Sequence, residues 1–201
     1  HASSINDWPS GTHAEFLAGE VWPHSVYAKN RIYTLGHHGN AILSKFPIFS
    51  WSNTDISAHA LENRGLLHAV IDWPHAPEPL HAICVHLGLT RKGRSFQIEK
   101  LCQFVEENVP LKGPLVLGGD FNDWSLTASK KLERTIHARE IFKEGNGRHA
   151  RTFPSWLPVL HLDRVYTRDL KVEKVEVLGK GPWRSLSDHA ALLAVLRLAH
   201  P

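Results

Sequence analysis

The chain is short of several things, and each shortage excludes a class of protein. It has two cysteines in 201 residues, Cys84 and Cys102, without CxxC spacing or any cysteine cluster that would hold zinc. Both read as reduced core residues, which points to the cytoplasm. No apolar run approaches the roughly 20 residues of a membrane-crossing helix. The first residues show no charged n-region followed by an apolar h-region, which leaves open a signal in any segment before them. There is no HExxH, no GxxxxGK[ST] phosphate loop and no GxGxxG dinucleotide fingerprint. Internal repeats, heptads and low-complexity tracts are also missing.

What is present describes an ordinary folded domain. With 42% hydrophobic and 21% charged residues, the chain can build one sizeable core, so a single domain over residues 1–201 is expected, with a monomer as the default state. A net charge of +3 permits a polyanionic partner without requiring one. The one basic cluster, Lys130, Lys131, Arg134 and Arg139, reads as a solvated helix face. Histidine is plentiful at 15, including His37-His38 and the pair His81 and His86, but the spacing matches no recognised zinc motif.

Short β-rich apolar runs bounded by Pro, Gly or Asn predict strands at Ala41 to Ser44, Gly65 to Ile71 and Leu80 to Leu87. The linker from Trp73 to Pro79 should join the last two as an antiparallel pair. Between Arg94 and Val109 the apolar residues Ile98, Leu101, Cys102, Val105 and Val109 recur at helical spacing, and Pro110 and Gly113 end that helix. A weaker helix is expected around Ser129 to Thr135. Later strands are expected at Leu162 to Thr167, Val172 to Leu178 and Ala190 to Arg197. Mixed strands with a few long helices make the fold class α+β.

Chemistry is concentrated at Leu115-Val116-Leu117-Gly118-Gly119-Asp120-Phe121-Asn122-Asp123-Trp124, where an apolar strand delivers an acid and an amide to its mouth. Side chains two apart on an extended segment face the same way, so Asp120 and Asn122 can converge, one to activate a water and the other to hold an oxyanion. An Asx turn would use the same residue types. Three more stretches have acids or imidazoles at strand boundaries: Cys84-Val85-His86-Leu87-Gly88, His161-Leu162-Asp163-Arg164 and Ser187-Asp188-His189-Ala190.

The order His, Asp-x-Asn, Asp-Arg, Asp-His resembles the endonuclease/exonuclease/phosphatase superfamily, the deoxyribonuclease I-like phosphoesterases, from about Gly36 to the C-terminus. The resemblance implies two packed mixed β-sheets flanked by helices, a four-layer α/β/β/α sandwich, and hydrolysis of phosphate esters with Mg2+ or Mn2+. It assigns Asp120 to the attacking water, Asn122 to a non-bridging oxygen and His189 to the phosphate. Asp163 would hold the His189 imidazole, and His86 would lie near the scissile phosphate. That last pairing has its own logic, since a carboxylate fixes the tautomer and favours the imidazolium. Asp188 maps to a possible metal ligand. Asn40, expected in a turn before its strand, Arg94 at the helix start and Thr152 in Arg151-Thr152-Phe153-Pro154 are expected to border the substrate. Blander roles compete at each: a structural His86, a surface ion pair at Asp163-Arg164, a capped turn at Asp188.

The chain departs from the family pattern at its start. The family's first strand, ending in a metal-site Asn, and its second, carrying Gln-Glu with the principal magnesium ligand, are not recognisable. Glu15 and Glu20 lack the apolar strand and Gln that should precede them, and the stretch through Asn6, Trp8 and Gly11 reads as a loop. The expectation is an N-terminally incomplete domain whose metal site lacks its main ligands. Mild basicity and the prevalence of nucleases in the family favour nucleic acid as substrate; Trp124, Phe153, Trp156 and Trp183 could stack on bases, and could equally pack the loops or meet a lipid surface. The alternatives are a phospholipid or small-molecule phosphatase or phosphodiesterase, and a phosphate-binding scaffold without turnover.

Overall fold

The computed structural model describes residues 2–3, 22–34, 36–74 and 76–199. The stretch through Asn6, Trp8 and Gly11 and the acids Glu15 and Glu20 lie outside the described residues.

Strands come first. In chain order they are β1 (Ala2–Ser3), β2 (His24–Tyr33), β3 (Gly36–Ser44), β4 (Ile48–Asp55), β5 (Gly65–Ile71) and β6 (Leu80–His86). Helix α1 (Arg91–Asn108) leads to β7 (Leu115–Asp120), α2 (Ala128–Ile136), β8 (Arg139–Glu140) and α3 (Ile141–Asn146). The chain then runs through β9 (Asp163–Arg168), β10 (Leu170–Leu178), the single turn α4 (Trp183–Leu186) and β11 (Ala191–Leu198). The main sheet has the order β4-β5-β6-β7-β9-β8; a second sheet has the order β1-β3-β2, and β10 and β11 form a hairpin.

Alternation along the main strands sorts two faces. On β6, His81, Ile83 and Val85 are buried, while Leu80, Ala82, Cys84 and His86 face the other way. The first face meets the helices: Ile83, Val85, Leu115, Leu117 and Tyr166 pack against Ile98, Leu101, Cys102 and Val105 of α1 and Leu132 of α2. The second face meets the smaller sheet, where Val26, Ala28 and Ile42 cover Leu67, Ala69, Ala82 and Cys84. Sandwiched between these layers, β5 is apolar along both faces, as its Leu-Leu-His-Ala-Val-Ile run requires. A third cluster joins Ile141 and Phe142 of α3 to Val165 and the β10–β11 hairpin. The α+β class and the layering of helices on packed sheets match the sequence reading.

Three expectations need correction. Strand β3 starts at Gly36, not Ala41, so Asn40 sits within it and not in a turn. Its buried Nδ2 donates to the carbonyls of Gly65 and Cys84, at 2.8 and 3.1 Å, and so ties the two sheets together. Strands β2 and β4 fall outside the expected set; polar residues interrupt both and few of their positions are buried, so they lack a long apolar run. Helix α1 starts three residues before Arg94, capped by Thr90, whose Oγ1 accepts from the Gly93 N–H.

Both cysteines are free, and burial pushes each thiol up to about 11, so neither is a nucleophile at neutral pH. No helix among the described residues is long and apolar enough to cross a membrane.

Candidate active site

Three neighbouring strands deliver the acids and an imidazole to one sheet edge. β6 and β7 run parallel and β9 runs against them, so two C-terminal ends and one N-terminal end coincide. The register pairs His86 with Asp120, and Asp120 with Asp163. His189 arrives from the turn before β11, and its Nδ1 lies 2.7 Å from Asp163 Oδ2. The four residues that the sequence order singled out separately, His86, Asp120, Asp163 and His189, therefore share one place.

Asp120 and Asn122 do meet, but not through extended geometry. Asn122 has a left-handed backbone, with φ of 48°, and its N–H donates to Asp120 Oδ1 at 2.8 Å, which is an Asx turn. The turn and the site are one object. Asn122 Nδ2 donates to the Leu87 carbonyl at 3.0 Å and reaches Asp120 Oδ2 at 3.4 Å. With its side chain so engaged, Asn122 holds Asp120 in place in this structure and does not present its amide to solvent. Gly119 allows the close passage of β7 against β6, because a Cβ there would lie 1.9 Å from the Val85 carbonyl oxygen.

The electrostatics divide the two imidazoles. The hydrogen bond to Asp163 raises His189 above its ordinary value despite partial burial, with Asp120 and Asp188 adding to the effect. His86 Nε2 stands 3.6 Å from Asp120 Oδ2, beyond hydrogen-bond reach. Burial, followed by the positive charges of Arg64, His38 and His189, pushes His86 down to about 4. Burial also raises the Asp120 carboxyl above the usual range, outweighing the Asn122 N–H that pulls it down.

Other expected site residues act at one remove. Thr152 is fully buried; its Oγ1 accepts from the Asp163 N–H at 3.3 Å and its carbonyl accepts from the Ala190 N–H at 2.8 Å. It links the strand bearing Asp163 to the turn bearing His189 and has no surface to offer a substrate. Arg94 is buried too, donating to the Gly88 and Leu89 carbonyls and stacking its guanidinium 4.8 Å from the Trp124 ring centre. The family resemblance puts both residues at the border of the substrate, whereas here their polar atoms are turned to the protein's own backbone. Asp188 is exposed, with Ser187 Oγ donating to it at 3.4 Å. Trp124, Trp156 and Trp183 are exposed, while the Phe153 ring lies 4.9 Å from that of His189.

Some neighbours escaped the sequence reading. Ser155 Oγ donates to the Ser187 carbonyl at 2.7 Å and its N–H donates to the Asp188 carbonyl, bracing the turn that carries His189. Asp123 closes the other side: it accepts from the Ala128 N–H at 2.8 Å, while Arg164 Nη2 donates to its carbonyl at 2.9 Å. Arg64, in Asn63-Arg64-Gly65 at the mouth of β5, shows the signal used for Asp120, a charged residue at a strand boundary. His81 and His86, five apart on one strand, point to opposite faces; His81 bonds His68 instead, at 2.9 Å.

The sequence profile described as the Endonuclease/Exonuclease/phosphatase family matches residues 5–189. The chain belongs to this family. It is 40% identical over 198 residues to the "Uncharacterized protein YbhP" of Escherichia coli K12, covering 98% of this chain and 78% of that protein. Among solved structures it is similar to the human Nocturnin catalytic domain with bound sulfate, with a TM-score of 0.77, 18% identity and coverage of 94% and 76%. It is also similar to D. rerio TDP2 complexed with single-strand DNA product, with a TM-score of 0.66, 14% identity and coverage of 91% and 80%. These likenesses establish the deoxyribonuclease I-like fold, and membership places the chain among proteins that act on phosphate esters.

The divalent metal implied by the family finds no ready cage here. Among the described residues no three His, Cys, Asp or Glu side chains group to hold an ion. Asp163 is engaged by His189 and Asp120 by Asn122, and Asp188, expected as a metal ligand, joins no group of three such side chains among the described residues.

Proposed function

We propose that the protein is a phosphodiesterase that cleaves nucleic acid at the edge formed by His86, Asp120, Asp163 and His189. The observation that carries this reading is the 2.7 Å bond between Asp163 and His189, which favours the charged imidazole beside Asp120, a carboxylate that burial makes more basic than usual.

Hydrolysis requires a water in line with the leaving oxygen and donors for the phosphoryl oxygens. Asp120 accepts a proton from the attacking water as its oxygen bonds to phosphorus. Its raised basicity suits that step, and Asn122 keeps the carboxylate aimed. His189, held through Nδ1, turns Nε2–H toward a non-bridging oxygen and stabilises the charge that builds as the ester oxygen departs. Asp163 fixes that ring, and neutral His86 lines the phosphate's approach. Magnesium or manganese is the cofactor that the family resemblance implies, and when bound it would help neutralise charge on the phosphoryl oxygens. The DNA product in the TDP2 structure and the mild basicity of this chain support nucleic acid over other phosphate esters.

The test is nicking of supercoiled plasmid by the full-length protein with magnesium, with manganese and with chelator, using Asp120→Ala as the control. Chelator-sensitive nicking that disappears in the variant is expected. Absence of nicking alongside turnover of p-nitrophenyl phosphate would replace the nuclease reading with a phosphatase one; no turnover of either would leave a phosphate-binding scaffold.

A further inference from the structure

Beside the catalytic edge lies a polar pocket of about 180 Å3 whose lining includes Lys29 and Asn30 of β2, Asn53 and Asp55 of β4, and Asn63 and Arg64 at the mouth of β5. Its floor is Gly65. A Cβ there would lie 2.1 Å from Asn30 Oδ1 and 2.6 Å from Asn53 Oδ1, so the two carboxamides close over a position that admits no side chain. They hold each other, with Asn53 Nδ2 donating to Asn30 Oδ1 at 3.2 Å. Asp55 is occupied by the Ser57 N–H at 2.8 Å.

Arg64 is the under-used group. Its Nε is buried without a hydrogen-bond partner, and its nearest carboxylate oxygen, on Glu62, is 4.0 Å away. Glu62 Oε2 accepts from Gln97 Nε2 at 2.8 Å and from the Ala58 N–H at 2.9 Å, so only Oε1 faces Arg64, as a charge neighbour beyond hydrogen-bond reach. A guanidinium with an unfilled hydrogen bond in a partly dry site favours a planar, multidentate anion. The catalytic cluster is close enough to feel this charge, which adds to the lowering of His86 by burial and partly opposes the burial that raises Asp120.

We propose that this pocket is a subsite for a second phosphate of the substrate, gripped by Arg64 with help from Lys29 and the Asn carboxamides. The proposal rests on the phosphoesterase reading and narrows it. A nucleic-acid strand offers such a second phosphate on the far side of the sugar that carries the scissile one. With no aromatic ring among the described lining residues, the pocket recognises backbone and not base, so cleavage is indifferent to the base placed there.

The experiment compares thymidylyl-thymidine with the same dinucleotide carrying a terminal 5′- or 3′-phosphate, using the wild type and Arg64→Ala. The wild type should prefer one of the doubly phosphorylated substrates by about tenfold or more in kcat/KM, through KM, and Arg64→Ala should bring that ratio near one. Arg64→Lys should restore part of it, retaining charge but not the fork. Equal preference in the wild type, or a ratio unmoved by Arg64→Ala, would overturn the subsite. If no dinucleotide is turned over, the catalytic reading fails separately. Titration of inorganic phosphate followed by NMR then decides: shifts at the Asn63 and Gly65 amides that vanish in Arg64→Ala support the subsite, and their absence in the wild type rejects it.

Discussion

His189 and His86 face carboxylates at the same sheet edge, yet their surroundings shift their basicity in opposite directions. His189 touches Asp163 at 2.7 Å and has Asp120 and Asp188 nearby, so three acids favour its proton. His86 stands off from Asp120 by 3.6 Å and looks toward Arg64, His38 and His189, so burial and positive charge remove its proton until about pH 4. Having a carboxylate neighbour does not make a charged imidazole; contact with it and the sum of surrounding charge do. The proposed mechanism uses this division: one charged donor and one neutral wall.

The comparison breaks most sharply at the groups that touch the reacting atoms. His189→Ala and Asp120→Ala should each lower kcat/KM by on the order of 100- to 10,000-fold, with circular dichroism unchanged. A loss of under about tenfold, or about 1.4 kcal/mol, in either variant would remove that residue from its assigned role.

Next in size is the tie that creates the asymmetry. Asp163→Asn removes the charge that raises His189, so the basic limb of the pH–rate profile should move down, toward the ordinary histidine value of 6.5 or below. Activity should fall by about 10- to 100-fold at pH 8 and less at pH 6, where the ring can still be protonated. NMR titration of His189 checks the cause directly. An unmoved basic limb would mean that His189 is not the group titrating there.

His86→Asn should cost less, about tenfold, and leave both limbs in place, because a ring already neutral above about pH 4 exchanges no proton near neutrality. Loss of the basic limb in this variant would invert the roles of the two imidazoles.

Much of this site is readable in the sequence because apolar runs announce where strands stop. Leu115–Asp120 and Leu80–His86 each end on the residue that matters, and the His-Asp-Asp-His order carries the rest. Second-neighbour roles are not readable that way. Thr152, Arg94 and Asn40 look like rim residues, yet all three are buried and spend their polar atoms on backbone partners, which for Thr152 and Asn40 lie on other elements and for Arg94 in the loop just before its helix. Such pairings depend on tertiary registry, and local pattern does not carry it. Strands β2 and β4 escaped for a related reason: at exposed positions, pairing with β3 and β5 does what apolar alternation would otherwise signal.

The smallest effect separates the two imidazoles by stability, not rate. Because His189 is raised in the folded state, its pairing with Asp163 stabilises the fold fully below the ordinary value of 6.5 and is lost as pH rises through the raised value. His86 is lowered to about 4, so the sign reverses: the unfolded chain takes up the proton first, and stability falls as pH drops from 6.5 toward 4. The His86 side chain is 40% exposed, so water screens part of this penalty and about 1 kcal/mol or less is expected. Urea unfolding at pH 7.5 and pH 5 reads both signs in one experiment. His86→Asn should shrink the acid-side loss, while Asp163→Asn should lower stability at pH 5 more than at a pH above the raised His189 value. Parallel losses in the two variants at both pH values would mean that the imidazoles do not differ in charge, and the division of roles at the sheet edge would fall with them.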